Sequence, residues 1–84
     1  MKFEYVIKDS LGIHARPAGL LVAEAKKYKS SVMIEAKGKK ADAKRIFAVM
    51  SLGVKCGDAI TVLCEGEDAE AAIAGMKAVV EANL

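Results

Sequence analysis

The chain contains one histidine, His14, in the stretch Leu11-Gly12-Ile13-His14-Ala15-Arg16-Pro17-Ala18. An imidazole followed two residues later by a guanidinium suits phosphoryl chemistry. The ring supplies a nitrogen nucleophile, and the arginine supplies a permanently charged fork that matches phosphate oxygens. Pro17 lacks an N–H and fits the first turn of a helix, so His14 falls where loop becomes helix. Helix N-termini carry unpaired N–H donors and a partial positive charge, which favour an arriving anion and the neutral, nucleophilic form of a nearby imidazole. A phosphorus–nitrogen bond made there is labile, because a protonated imidazole leaves readily. On position alone, a helix cap or an ordinary surface histidine remains the competing reading.

The elements that must position this group follow from periodicity. Phe3, Tyr5 and Ile7 alternate with polar neighbours, which predicts a strand over residues 2–8 with one buried face. Ala18, Leu21, Val22 and Ala25 recur at helical spacing and predict an amphipathic helix over 15–28, with Lys26, Lys27 and Lys29 at its C-terminal end. Val32, Ile34 and Ala36 predict a second strand. The turn signal Lys37-Gly38-Lys39 pairs it with a short third strand over 39–43. A short helix over 45–52 ends at Gly53, and an apolar strand spans 59–64. Gly66-Glu67-Asp68 gives a break and an acidic cap before a last helix, with Ala69, Ala72, Ile73, Met76, Val79 and Val80 in phase. The order β-α-β-β-α-β-α predicts an α+β, open-faced β-sandwich. Its four-stranded, mostly antiparallel sheet carries three helices on one face and is open to solvent on the other.

Composition narrows the alternatives. With 54% apolar and 29% charged residues over 84 positions, a single modest domain spanning 1–84 is expected. No apolar run approaches the roughly 18 residues of a membrane span, so no membrane insertion is expected. Residues 1–10 lack a signal-peptide pattern. Cys56 and Cys64 fit neither a disulfide framework nor a zinc pattern; Cys64 reads as core, Cys56 as exposed. These features point to the cytoplasm, with no metal or organic cofactor. Residues 1–57 hold 12 basic and 5 acidic groups, whereas 58–84 hold 1 and 6, so the net +2 conceals a strong asymmetry. A basic face of that kind attracts acidic partners or nucleic acid. Aromatic residues are only 5% and no base-stacking motif is visible, so no nucleic-acid partner is expected.

Gly12-Ile13-His14-Ala15-Arg16-Pro17-Ala18 resembles the active-site signature of the HPr family, the histidine-containing phosphocarriers of the phosphoenolpyruvate-dependent sugar phosphotransferase system. Ile46-Phe47-Ala48-Val49-Met50-Ser51-Leu52-Gly53-Val54 resembles the family's short second helix and the turn after it. The resemblance extends over the whole chain in length and element order. It implies that His14 accepts a phosphoryl group from phosphorylated Enzyme I and passes it to IIA units of sugar transporters, with Arg16 contacting the group. The protein would act as a stoichiometric carrier more than a catalyst, and as a monomer.

A relay protein needs an apolar docking patch beside the reactive atom, rimmed by steering charges. The resemblance places Ala15, Pro17, Gly19 and Leu20 of the first helix and Ile46, Phe47 and Met50 of the short helix around His14. Phe47 and Met50 share a helical face, and methionine adapts to more than one partner. The competing reading is core, which fits Ile46 and Val49 better than Phe47 and Met50. Lys26, Lys27, Lys44, Arg45 and Lys55 are candidate rim charges. Gly19 costs the helix about 1 kcal/mol against alanine, through close approach of a partner or as a tolerated defect. The chain departs from the resemblance at Arg45, which stands where many relatives carry a regulatory serine. The serine switch is therefore not expected here. A second reading follows: an HPr-like regulatory or nitrogen-branch phosphorelay or interaction protein that lacks the switch.

Overall fold

A computed structural model describes residues 1–84. Its elements are β1 (Lys2–Val6), α1 (Ala15–Ala25), β2 (Ser31–Ala36), β3 (Lys39–Asp42), α2 (Ile46–Ser51), β4 (Ala59–Glu65) and α3 (Ala69–Asn83). The order matches the pattern read from the sequence. The strands form one sheet, β1-β4-β2-β3, and every ladder in it is antiparallel. Successive side chains of a strand point to opposite faces, and here one face is buried. Val32, Ile34 and Ala36 of β2, Ile60, Val62 and Cys64 of β4, and Ala41 of β3 pack into the core. Glu4, Thr61, Glu35 and Lys40, aligned across the four strands, lie on the solvent side.

The helices close the buried face. In α1, Ala18, Leu21, Val22 and Ala25 are all buried, and in α3 Ala72, Met76 and Val80 are. The helix α2 has six residues, a cation at its N-cap and no capping side chain. A helix that short is not stable by itself. Val49 and Leu52, both buried, hold it to the core.

Two ends differ from the periodicity. The helix α1 stops at Ala25, three residues early. Lys27 and Tyr28 then donate backbone N–H groups to the carbonyls of Glu24 and Ala25, a tighter three-residue spacing. The Tyr28 hydroxyl donates to Glu24 Oε2 at 2.7 Å, which fixes this turn. Gly75 on α3 leaves room for it, since a Cβ there would lie 2.0 Å from that hydroxyl. Asp68, expected as the side-chain cap of α3, is its N-cap in backbone position but makes no capping bond. Its carboxylate instead accepts the N–H groups of Lys29 and Ser30, at 3.0 and 2.9 Å, and the Ser30 hydroxyl. The Ser30 hydroxyl in turn accepts the Asp68 N–H. This exchange ties the α1–β2 connection to the start of α3.

The bonds to Ser30 and Lys29 hold the Asp68 carboxyl down to about 2. A carboxyl depressed in the folded state contributes stability above its unfolded value near 4, and loses it as pH falls toward 2. Urea unfolding should therefore show Asp68→Asn less stable than the parent at pH 7. The gap should shrink steadily between pH 4 and pH 2.

Candidate functional site

The site begins with a turn. Asp9 Oδ1 accepts the Leu11 N–H at 2.8 Å, and the Asp9 carbonyl accepts the Gly12 N–H at 3.0 Å. This is an Asx turn. Gly12 follows with φ +67°, and a Cβ on it would lie 2.2 Å from the Val54 carbonyl oxygen and 2.7 Å from Lys55 Cα. Only glycine combines that backbone with so close an approach. The next residue completes the clamp, its Ile13 N–H donating to Val54 O at 3.1 Å. The opposing loop is itself anchored. Asp58 accepts the Lys55 N–H at 2.8 Å and pairs with Lys37 Nζ at 3.1 Å. Lys37 also donates to the Gly53 carbonyl. The Lys55 N–H, then the Lys37 ammonium, hold the Asp58 carboxyl below its ordinary value.

Beyond the clamp the chain enters α1. His14 is the N-cap in backbone conformation, with φ −94° and ψ −175°, and its carbonyl accepts the first helical bond from Ala18. Its side chain makes no cap, so the imidazole is not spent on holding the helix. The backbone N–H groups of His14, Ala15 and Arg16 have no acceptor in the protein, and Pro17 has none to offer. The Arg16 guanidinium is exposed and forms no ion pair within the chain. His14 is 37% exposed, and its Nε2 lies 4.0 Å from Asp9 Oδ1.

These groups meet at one open cavity of about 300 Å³. His14, Arg16, Pro17 and Leu20 supply the α1 wall, Asp9 the turn, and Ala82 and Asn83 the end of α3. The arrangement offers a ring nitrogen, a free guanidinium and unpaired amides at the positive end of a helix, which is what a tetrahedral dianion requires. No group of three or more metal-ligating side chains exists in the chain.

A family model described as "PTS HPr component phosphorylation site" matches residues 1–82. The chain belongs to the HPr family. The phosphocarrier protein HPr of Mycoplasma genitalium is 47% identical over 83 residues, covering 98% of this chain and 94% of that protein. Among solved structures, a mycoplasma histidine-containing phosphocarrier protein superposes with a TM-score of 0.92 at 40% identity, over 94% of this chain and 90% of that one. HPr of Thermoanaerobacter tengcongensis also reaches 0.92, at 39% identity over 98% and 92% of the two chains. The chain is thus an HPr phosphocarrier of the phosphotransferase system by family.

The other residues singled out from the sequence divide into two groups. Phe47, 84% exposed, stands out from α2, and Leu20 and Met50 are also exposed. Ala15 is exposed, Gly19 and Ile46 are half-buried, and Val49 is core. Pro17 corrects the docking set: it is buried in α1, where it forms part of the cavity wall. Arg45 is exposed at the α2 N-cap. Lys44 leaves the rim, its ammonium being bound to the Tyr28 carbonyl, and Lys27 is paired with Glu24. As read from the sequence, Cys56 is exposed and Cys64 buried, and burial pushes the Cys64 thiol up.

Sequence reasoning missed Asp9, Leu11, Ala82 and Asn83. The first had a signal, since Asp at the first position and Gly at the fourth mark a turn. Leu11 is 70% exposed beside the site. Nothing in the sequence announces that the end of α3 forms a wall of the cavity.

The two glycines of this region should behave oppositely. Gly12→Ala meets a backbone oxygen well inside contact distance and a disfavoured φ, and should cost on the order of 1–3 kcal/mol or more in denaturant unfolding. Gly19→Ala meets nothing within 4 Å and should stabilise the fold by about 1 kcal/mol.

Proposed function

We propose that His14 accepts a phosphoryl group from phosphorylated Enzyme I and surrenders it to the IIA units of sugar transporters. The observation that carries this reading is the convergence on one cavity of an unspent imidazole, an unpaired arginine and the free amides of the α1 N-terminus. In the forward step a ring nitrogen lone pair forms the bond to phosphorus as the donor's own bond to phosphorus breaks. In the return step the phosphorus–nitrogen bond breaks with its electron pair left on the ring. Such transfers depend on positioning and charge stabilisation more than on covalent help from the protein. Arg16 and the amides of Ala15 and Arg16 supply the positive partners for the phosphoryl oxygens. No cofactor or metal enters the cycle.

Ala15, Gly19, Leu20, Ile46, Phe47 and Met50 form the docking surface in this reading. Phe47 is the most exposed of its large apolar side chains, and Leu11 extends it. An exposed phenylalanine is a cost in solution that burial against a partner removes. Gly19 has no neighbour within 4 Å to explain the absence of a side chain, which supports close approach by a partner. The protein works as a monomeric single domain in the cytoplasm. No helix is long and apolar enough to cross a membrane.

A second reading, regulatory or nitrogen-branch relay, draws on Arg45. A cation at the start of α2 opposes the helix dipole, and its side chain contributes no cap, so the fold gains nothing from the guanidinium there. Its position next to Phe47 fits selection of acidic partners.

Incubation with phosphoenolpyruvate and Enzyme I should place one acid-labile phosphoryl group on the wild-type chain and none on His14→Ala. Arg16→Ala should unfold like the parent yet transfer on the order of a hundredfold more slowly. Labelling of His14→Ala would defeat the reading, and an unchanged Arg16→Ala rate would remove the guanidinium from it.

A further inference from the structure

Lys37 is the one residue other than glycine with a left-handed backbone, at φ +54°. It opens the two-residue turn between β2 and β3, and Gly38 follows with φ +77°. Two positive φ values in such a turn suit Asn-Gly or Gly-Gly, and lysine is disfavoured there. A strained residue persists where its surroundings hold it, and here it is the side chain that is held. The Lys37 ammonium crosses to the loop between α2 and β4. There it donates to the Gly53 carbonyl at 2.9 Å and pairs with Asp58 Oδ2 at 3.1 Å. That same oxygen accepts the Lys55 N–H at 2.8 Å. The Lys55 N–H and the Val54 carbonyl belong to one peptide unit. This unit is the one that Gly12 lies on and that accepts the Ile13 N–H at 3.1 Å. A continuous chain of polar contacts therefore runs from Lys37, through Asp58 and the Val54–Lys55 peptide, to the residue before His14.

We propose that Lys37 is a positioning residue for phosphoryl transfer at His14: its ammonium holds the Val54–Lys55 peptide in the place that sets the start of α1. The inference rests on the carrier reading of His14. The Gly53 carbonyl precedes that peptide and Asp58 follows it, so one cation grips the loop on both sides. It also acts through charge. The ammonium keeps the Asp58 carboxylate aimed at the Lys55 N–H, and a carboxylate on that N–H polarises the peptide. The Val54 carbonyl becomes a better acceptor for Ile13. The Val54 side chain is itself buried, so loss of the ammonium does not release the loop. The peptide gains room to rock, and the Ile13 N–H and the open amides beside the imidazole rock with it. Lys37 and Asp58 are 44% and 31% exposed. The effect is therefore that of a solvent-screened pair, about two- to fivefold in how often the seat opens.

Lys37→Asn removes the ammonium and supplies the Asn-Gly pair that the turn prefers, so a lysine kept only for the hairpin would be improved upon. Amide hydrogen exchange reports the seat at Ile13 and the core at Val62. Potassium phosphoramidate phosphorylates histidine without a partner protein, and ³¹P spectra follow its reaction with the one histidine of this chain. In Lys37→Asn the Ile13 N–H should exchange about two- to fivefold faster relative to Val62, and His14 should be labelled more slowly by a similar factor. Lys37→Arg keeps a cation and should lie closer to the parent than to Lys37→Asn in both readouts; the reverse would overturn the proposal. Unchanged exchange at Ile13 would also overturn it, as would equal acceleration at Val62, which is loosening of the whole fold. Faster exchange at Ile13 with unchanged labelling would make Lys37 a loop brace only. Failure of Enzyme I to label a chain that behaves as predicted here would count against the carrier reading and leave the role of Lys37 standing.

Discussion

The contact on which the site depends is backbone against backbone: Gly12 lying on the carbonyl of Val54. It is possible only because Gly12 has no side chain and tolerates a positive φ. Once made, it fixes where α1 starts. The N-cap must then fall on His14, and the unpaired amides of the first turn must open beside the imidazole. A longer side chain at Gly12 would push the turn off the α2–β4 loop and move the helix end. The reactive residue is thus placed by a neighbour that takes no part in chemistry.

The helix end that results has been left incomplete in a way most helices are not. No acidic residue stands in the first turn of α1 and no side chain caps it. Ordinarily such an end would recruit Ser, Asp or Asn, worth about 1 kcal/mol. Here the vacant donors face a cavity with a free guanidinium. The fold gives up local helix stability and recovers it from the buried stripe Ala18, Leu21, Val22 and Ala25. The helix α2 follows the same logic. Its poor N-terminus is tolerated because Val49 and Leu52 are buried, which leaves Phe47 and Met50 to face outward.

Much of this was legible in the residues. Alternation in Phe3, Tyr5 and Ile7, helical spacing from Ala18 to Ala25, and the Lys37-Gly38 turn were enough for the element order, because burial period and turn chemistry agree at each of them. His14 and Arg16 could be paired from spacing, since two residues across a helix start stay on the same end. What escaped was set by tertiary partners. The early end of α1 depends on Tyr28 reaching Glu24 and on a glycine in α3. Asp68 looks like a cap and spends its carboxylate on Lys29 and Ser30, some 38 residues away. Pro17, placed in the docking patch by resemblance, is buried. The cavity joins Asp9 to Asn83, and no periodicity reports a contact across nearly the whole chain.

The central claim is that the N-terminus of α1 holds the phosphoryl group carried by His14, and amide NMR of the phosphorylated chain tests it most directly. The account predicts that the Ala15 and Arg16 amide protons move downfield and exchange more slowly with water, as phosphoryl oxygens become their acceptors. Phosphorylation of His14 that leaves both resonances and their exchange unchanged would contradict it.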